Sequence, residues 1–488
     1  MLFNSYIFIF LFLPITLTGY YVMNYFLPCK SKISNIFLIC MSLWFYGYFN
    51  SSYLIIICGS ILINFLLSKK LSAKYNQSFR KFLLFLGICI NIAVIFYFKY
   101  YNFFLDNMNV IFKTSFELKN ILLPLGISFF TFQQISYLFD SYKGETSSYS
   151  FDEYALFVSF FPQLVAGPIV LHNEMIPQFK KIENRQFIPH NFSKGMYIFA
   201  LGLFKKVIIA DTFGKAVSYG FSSIDTISSL EALIVSLSYT FQLFFDFSGY
   251  SDMAIGIGYM FNIELPQNFN SPYKSTSILD FWNRWHMSLT RFLKTYIYIP
   301  LGGNRKGKLQ TYINIMIVYL ISGIWHGANW TFVLWGALHG LLNCLNRFFQ
   351  KYWKKLGNVT QWSITFSLIN ILWIFFRADS VSSAILFIRR LFSLSSFTIR
   401  EDFYSCFDLI ELSFLENNIQ CLNFLSSHIA GFNLWFFIFG AFFIILNFRN
   451  SYEITFKPTI KNSFTTVILI VWSVISLTEI STFLYFNF

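Results

Sequence analysis

Long, continuously apolar stretches recur along the chain, at about 4–28, 34–48, 51–68, 82–100, 120–139, 152–171, 195–213, 227–260, 309–346, 359–376, 430–447 and 462–484. Many approach the roughly 20 residues that carry an α-helix across about 30 Å of hydrocarbon. They lack the short period-two alternation of a transmembrane barrel. The pattern predicts an all-α polytopic membrane protein. Some of its helices should be broken or re-entrant: Pro124-Leu125-Gly126 interrupts 120–139, and Pro162, Gly167 and Pro168 interrupt 152–171. Such breaks need protein or a watery cavity around them. The region 381–429 is more mixed, with Arg389-Arg390, Arg400-Glu401-Asp402 and Glu411, and predicts short interfacial or extracytoplasmic helices. The first 29 residues carry no charged side chain before the polar exit Cys29-Lys30-Ser31-Lys32. They lack a basic leader and a small-residue cleavage site, so a retained first span is expected. With no internal repeat or long low-complexity linker, 1–488 is expected to form a single integral membrane domain.

Composition agrees with that pattern. The chain is 56% hydrophobic and only 12% charged, whereas a soluble protein carries about a quarter of its residues as charges. Lys+Arg outnumber Asp+Glu by 36 to 23, for a net charge of +13. Much of the excess lies in connectors: Lys69-Lys70 to Lys81, Lys180-Lys181-Arg185, Arg284 to Lys308, and Arg347 to Lys355. Basic connectors between spans are expected on the cytoplasmic side, where they meet anionic membrane lipids. Scattered in this way they form no basic domain, so no nucleic-acid partner is expected. Seven cysteines, at 29, 40, 58, 89, 344, 406 and 421, show no CxxC pair and say little about redox compartment.

The candidate chemistry centres on His326, in the uncharged run Leu309–Asn346 within Trp325-His326-Gly327-Ala328-Asn329-Trp330. Lys308 and Arg347 bound this run; if both ends are cytoplasmic, the chain enters and returns, as two spans or a deep re-entrant helix. An imidazole in such surroundings is either satisfied by partners or used for chemistry. Trp330, four residues on, would share its helical face, and Gly327 and Ala328 leave room beside it. A second cluster runs from Asp280 to Leu293, where helical spacing places Trp282, His286 and Leu289 on one face and Arg284, Ser288 and Arg291 roughly on another. His286 is read either as a hydrogen-bonded structural residue or as part of a site. A third cluster sets Asp246 and Asp252 in an apolar run, costly unless each has a partner. Asp246 would build a structural network or orient a histidine. No metal is expected, because the leading histidines are 40 positions apart with no HExxH, cysteine pair or third compelling ligand. No serine elbow or kinase-type glycine loop is present either. His172, His190, His339 and His428 receive no assignment.

Taken in order, these segments resemble the membrane-bound O-acyltransferase family, especially its alginate O-acetyltransferase-like bacterial branch. Phe281-Trp282-Asn283-Arg284-Trp285-His286-Met287-Ser288-Leu289 resembles the family's first histidine region, and Ser322 to Trp330 its catalytic histidine segment. Leu123 to Gln133, Pro162 to Ile169, the Asp246 cluster and Phe375-Phe376-Arg377-Ala378-Asp379 extend the likeness, making 120–380 the diagnostic core. The resemblance implies a multi-helix bowl with a central passage, His326 as the principal catalytic residue and His286 as a second tunnel-associated one. Asn329, Asp246 and Trp325 become candidates for supporting the site. It also implies acetyl-CoA as the acyl-donor substrate, with no tightly bound cofactor, entering from the cytoplasm. Arg284, Arg305 and Lys306 are candidates for binding its phosphates, with ordinary positive-inside topology as the other reading. The acceptor would be an extracytoplasmic polysaccharide, such as peptidoglycan or alginate, reached through a partner acetyltransferase. The expected location is the bacterial cell membrane, multi-pass, and the inner membrane in a Gram-negative cell. A transporter or flippase for an acylated or lipid-linked carbohydrate is the competing reading, since broken helices and intramembrane polar groups also mark substrate paths.

Overall fold

The computed structural model describes residues 1–27, 31–72, 75–146, 148–165, 167–394, 396–409, 411, 417–448, 450, 453, 455–477 and 481–487. The Cys29-Lys30 exit and Ala166 of the Pro162–Ile169 segment lie outside these residues. Among the described residues every regular element is a helix. Among the described residues, five helices are long and apolar enough to cross a membrane: Phe8–Phe26, Ser52–Ser72, Gln77–Phe112, Ser229–Met260 and Asn358–Arg377. A sixth candidate, Gln420–His428 with Phe432–Asn447, is bent by 101°. The chain is a multi-pass membrane protein. Its apolar stretches outnumber its long helices because several stretches divide: 152–171 breaks at Phe160, and 309–346 breaks at Gly327.

The described residues cluster into two compact units, neither of them one continuous segment. The first comprises Met1–Ala200, Tyr250–Gln267 and Lys457–Thr466. Its principal helices are α1 (Leu13–Phe26), α2 (Ser31–Gly47), α3 (Ser52–Ser72), α4 (Gln77–Ile95), α5 (Tyr101–Phe112), α6 (Ile127–Lys143), α7 (Phe151–Ser159) and α8 (His172–Lys180). Gly126, at φ +72°, admits the carbonyl of Leu164 where a Cβ would stand 2.5 Å from it, so the Pro124–Gly126 break is a packed turn that starts α6. Buried amides hold α3, α4 and α6 together. Asn64 donates to Gln134 Oε1, Asn91 donates to Asn64 Oδ1 at 2.7 Å, and Ser60 donates to Gln134 Oε1 at 3.1 Å. Between apolar helices in lipid such side-chain pairing, with close packing, drives association. Leu71, Leu83 and Leu138 complete the contact.

The second unit comprises Leu201–Gly249, Asn268–Phe456 and Val467–Phe488. Its principal helices are α9 (Asp211–Ser222), α10 (Ser229–Met260, as far as Gly249), α11 (Ile278–Arg284), α12 (Met287–Leu293), α13 (Lys308–His326), α14 (Trp330–Phe348), α15 (Asn358–Arg377) and α16 (Val381–Phe392). Helices α13 and α14 form an antiparallel hairpin. A Cβ on Gly323 would lie 2.4 Å from the Phe332 carbonyl, and one on Gly336 would lie 2.5 Å from the Tyr319 carbonyl. The two backbones therefore touch where only hydrogen fits, which fixes the depth of the turn between them. Gly336→Leu should separate the hairpin and cost about 1–3 kcal/mol, the usual penalty of overpacking. A thermal melt of the detergent-solubilised protein reads this, and an unchanged midpoint would contradict the close approach.

Candidate active site

The hairpin places His326 at its tip. His326 ends α13, Gly327 follows in an extended conformation, and Asn329 caps α14 by accepting a 3.0 Å hydrogen bond from Thr331 N–H. The other end of the Asn329 amide donates to the Asp379 carbonyl at 2.8 Å. Asn329 thus ties the turn to the end of α15 through both ends of its amide. The helical break also corrects one expectation: Trp330 does not share a helical face with His326. It opens the next helix and is 55% exposed.

The region around His286 departs further from the expected single amphipathic helix. Residues 278–293 form two short helices, α11 and α12, with His286 between them in the left-handed region at φ 43°, ψ 55°. Trp282 consequently lies on α11 while His286 lies between the helices, and Arg284 and Ser288 lie on separate helices. The Asn268–Asn270 segment holds the break open from both sides. Met287 N–H donates to the Asn268 carbonyl at 2.9 Å, Ser288 Oγ donates to Asn268 Oδ1 at 2.6 Å, and Asn270 N–H donates to the Arg284 carbonyl at 2.9 Å. A non-glycine residue in this conformation costs about 1–2 kcal/mol. The surrounding hydrogen bonds offset that cost and aim the imidazole inward.

These two histidines, far apart in sequence, share neighbours. The Trp325 ring lies 4.9 Å from that of His326 and 6.0 Å from that of His286. Tyr485 lies 5.6 Å from His326 and 6.3 Å from His286. Trp335 at 5.1 Å and Phe376 at 5.2 Å close the other sides of His326, and Phe247 packs edge-on against His286 at 4.8 Å. His339, unassigned from sequence, joins the cluster: its ring is 4.7 Å from Trp335, and its Nδ1 accepts the Trp282 indole N–H at 3.2 Å. Tyr485 was missed because nothing near it marks a site; only the fold brings it from the end of the described chain to these rings.

Polarity inside this aromatic cluster is unusual. Both ring nitrogens of His286 are buried with no hydrogen-bond partner among the described residues, and so are Ser322 Oγ, Thr331 Oγ1, Trp335 Nε1 and His339 Nε2. Each such group costs about 1–3 kcal/mol if left dry and unpaired, and native interiors rarely collect them. His286 lies outside the long apolar spans, and burial pushes its imidazole down to about 3. It is therefore neutral at pH 7, with one nitrogen to donate and one to accept.

Asp246 has its partner in Lys206. The Lys206 ammonium lies 2.6 Å from Asp246 Oδ1 and 2.9 Å from Asp211 Oδ1, with Lys206 and Asp246 both buried. This anchor also grips the segment carrying Tyr485. Lys206 donates to the Thr482 carbonyl at 3.2 Å, Leu484 N–H donates to Asp246 Oδ2 at 3.0 Å, and Ser481 Oγ donates to Asp211 Oδ2 at 2.5 Å. A cavity of about 550 Å³ opens beside it, lined by Lys206, Asp211, Lys215, Gln242, Glu411 and Ser481 among others. Asp246 thus holds the segment that carries Tyr485.

The basic candidates divide. Arg284 is engaged, its Nε donating to Asp280 Oδ1 at 2.8 Å. Arg305 and Lys306 are exposed on the turn before α13, which Asn314 fastens by donating to the Gly303 carbonyl at 2.8 Å. In the first unit, Asp140, Glu145 and His172 each bring one ligand-type atom within 4.8 Å of the others, a grouping that spacing along the chain did not reveal. His172 Nε2 lies 3.3 Å from Asp140 Oδ2, and the Lys143 ammonium, 3.6 Å from Asp140 Oδ1, gives that carboxylate a cationic neighbour.

Comparison with known proteins places this arrangement. The sequence model of the membrane-bound O-acyltransferase family matches residues 94–384, which include His286 and His326. A peptidoglycan O-acetyltransferase of Helicobacter pylori is 44% identical, over 82% of this chain and 81% of its own length. A probable alginate O-acetylase of Pseudomonas aeruginosa is 38% identical, over 82% of this chain and 76% of its own. A teichoic acid D-alanyltransferase of Bacillus subtilis is 28% identical, over 48% and 62% respectively. From the matched region and the first two alignments, long and well covered, the chain belongs to the membrane-bound O-acyltransferase family.

Proposed function

We propose that this chain, working as one integral domain, is an O-acetyltransferase that takes acetyl from cytoplasmic acetyl-CoA and passes it across the membrane toward a hydroxyl of an extracytoplasmic polysaccharide, through a partner acetyltransferase. The observation that carries the reading is His326 at the hairpin tip, enclosed by aromatic rings, one of which, Trp335, has a buried indole N–H with no hydrogen-bond partner among the described residues. The names of the relatives support acetyl as the group and make cell-wall glycan and alginate the first acceptors to test.

In the transfer step, neutral His326 takes the proton of the acceptor hydroxyl as its oxygen attacks the thioester carbon. A C–O bond forms, and the carbonyl π pair moves onto oxygen. Collapse of the tetrahedral intermediate breaks the C–S bond, and the departing thiolate receives the proton from His326. His286 borders the same space as a neutral donor and acceptor, with Trp325 as the wall between them. Asn329 sets the turn rather than reaching the reactants, and Asp246 holds the Tyr485 segment.

Arg305 and Lys306 serve donor recruitment, because exposed cations suit the phosphates of CoA; Arg284, paired with Asp280, has less to offer. Changing Arg305 and Lys306 together to Gln is expected to weaken acetyl-CoA binding several-fold, more at low salt than at high. Affinity that does not move returns these residues to topology alone. The reading as a whole is tested with purified protein in lipid, labelled acetyl-CoA, and glycan or partner acceptors. Acetylated product supports it; movement of a carbohydrate with no acetyl transfer would favour a transporter and overturn it.

A further inference from the structure

Helix α14 carries a row of polar groups on one face. Thr331, Trp335 and His339 stand four residues apart, all fully buried, and none of their Oγ1, Nε1 and Nε2 atoms has a hydrogen-bond partner among the described residues. Side chains at this spacing stack along a helix. Two of the three atoms have a fixed sense. An indole nitrogen only donates. The His339 Nδ1 accepts the Trp282 N–H, so the neutral His339 ring carries its proton on Nε2, which also donates. Two donors thus sit on neighbouring rings 4.7 Å apart by ring centres, neither with an acceptor among the described residues, and the Trp335 ring is 5.1 Å from that of His326.

Two N–H donors with no acceptor fit an oxygen that gains negative charge. We infer that Trp335 Nε1–H and His339 Nε2–H are the donor pair that stabilises the carbonyl oxygen of the transferred acyl group as it becomes an oxyanion, while His326 takes the acceptor proton. This deepens the acetyl-transfer reading and rests on it. Preorganised donors in a site shielded from water stabilise developing charge far more than water-exposed ones. The placement on α14 follows from the hairpin: the close approach at Gly323 and Gly336 brings the face bearing Trp335 alongside the end of α13 that bears His326. A carbonyl oxygen also occurs in the amides of the donor's arm. The two sources differ in kinetics: holding the reacting carbonyl raises kcat, whereas holding a spectator amide lowers KM.

The test uses the full-length protein in lipid with labelled acetyl-CoA. Trp335→Phe keeps the ring and removes the N–H; kcat should fall on the order of 10²-fold with KM for acetyl-CoA nearly unchanged. His339→Gln, which keeps an acceptor for Trp282 and a donor, should retain more turnover than His339→Leu, with thermal melts confirming that each variant is folded. Undiminished kcat in Trp335→Phe overturns the pair, as does a rise in KM alone, which would assign these groups to a spectator amide. Equal turnover in the two His339 variants overturns it too, and remains readable if Trp335→Phe fails to fold. Wild-type protein that transfers no acetyl from acetyl-CoA sinks the enzymatic reading itself. Wild-type turnover that is lost in His326→Ala but kept in Trp335→Phe sinks only the donor pair.

Discussion

His326→Ala, in folded and lipid-embedded protein, is expected to lower acetyl transfer by roughly 10²–10⁴-fold, the usual worth of a positioned general base. The basis is geometric. His326 is 2% exposed and packed by Trp325, Trp335, Phe376 and Tyr485 at ring separations from 4.9 to 5.6 Å. An imidazole so enclosed is held in orientation, and orientation rather than charge is what a base in this setting needs. The measurement is single-turnover release of labelled acetyl, with His326→Gln beside it as a polar replacement that fills the space without the imidazole's basicity. If both variants turn over near the wild-type rate, the proton goes elsewhere and His326 is structural. If only His326→Ala is slow, its defect lies in packing.

The second large effect is on stability. Removing the Asp246 carboxylate leaves the Lys206 ammonium, 3% exposed as a side chain, with Asp211 as its remaining carboxylate. Breaking one side of a buried pair typically costs about 3–5 kcal/mol. Asp246→Ala is therefore expected to unfold or aggregate at temperatures the wild type tolerates, and size-exclusion profiles after a heat ramp will show it. Replacing both partners, Lys206→Met with Asp246→Leu, should recover much of the loss, since apolar substitutes carry no stranded charge. That double variant still lacks the acceptor for Leu484 N–H and the donor for the Thr482 carbonyl. Comparing its turnover with its stability separates what the anchor contributes to the fold from what it contributes by holding Tyr485. A single Asp246→Ala variant as stable as wild type would mean that water reaches Lys206.

Helical spacing puts Trp330 on the face of His326, so the break at Gly327 was not legible in the sequence; the entry and return of 309–346 was legible because its signals are local, an uncharged run with basic ends. The helical class was legible for the same reason. The break at His286 was not. Phe281 to Leu289 contains no glycine or proline, and the left-handed turn there is maintained by Asn268 and Asn270 from outside the segment. Lys206 could not be matched to Asp246 from spacing, since they lie 40 positions apart on different elements and many other cations were available. His339 looked ordinary for a similar reason: its meaning comes from Trp282 and Trp335, which only tertiary packing brings to it. Local chemistry could be read from the chain, whereas pairings had to be seen.

The left-handed backbone at His286 has a consequence for protein engineering. Glycine adopts that conformation at no steric cost, so a library screened for heat resistance alone should drift toward glycine at 286, trading the proposed site imidazole for a relaxed turn. Consensus and stability-guided redesigns commonly meet this conflict between robustness and activity. Position 286 is best held fixed in any such campaign, and the thermostable variants that retain turnover should be those whose changes fall elsewhere.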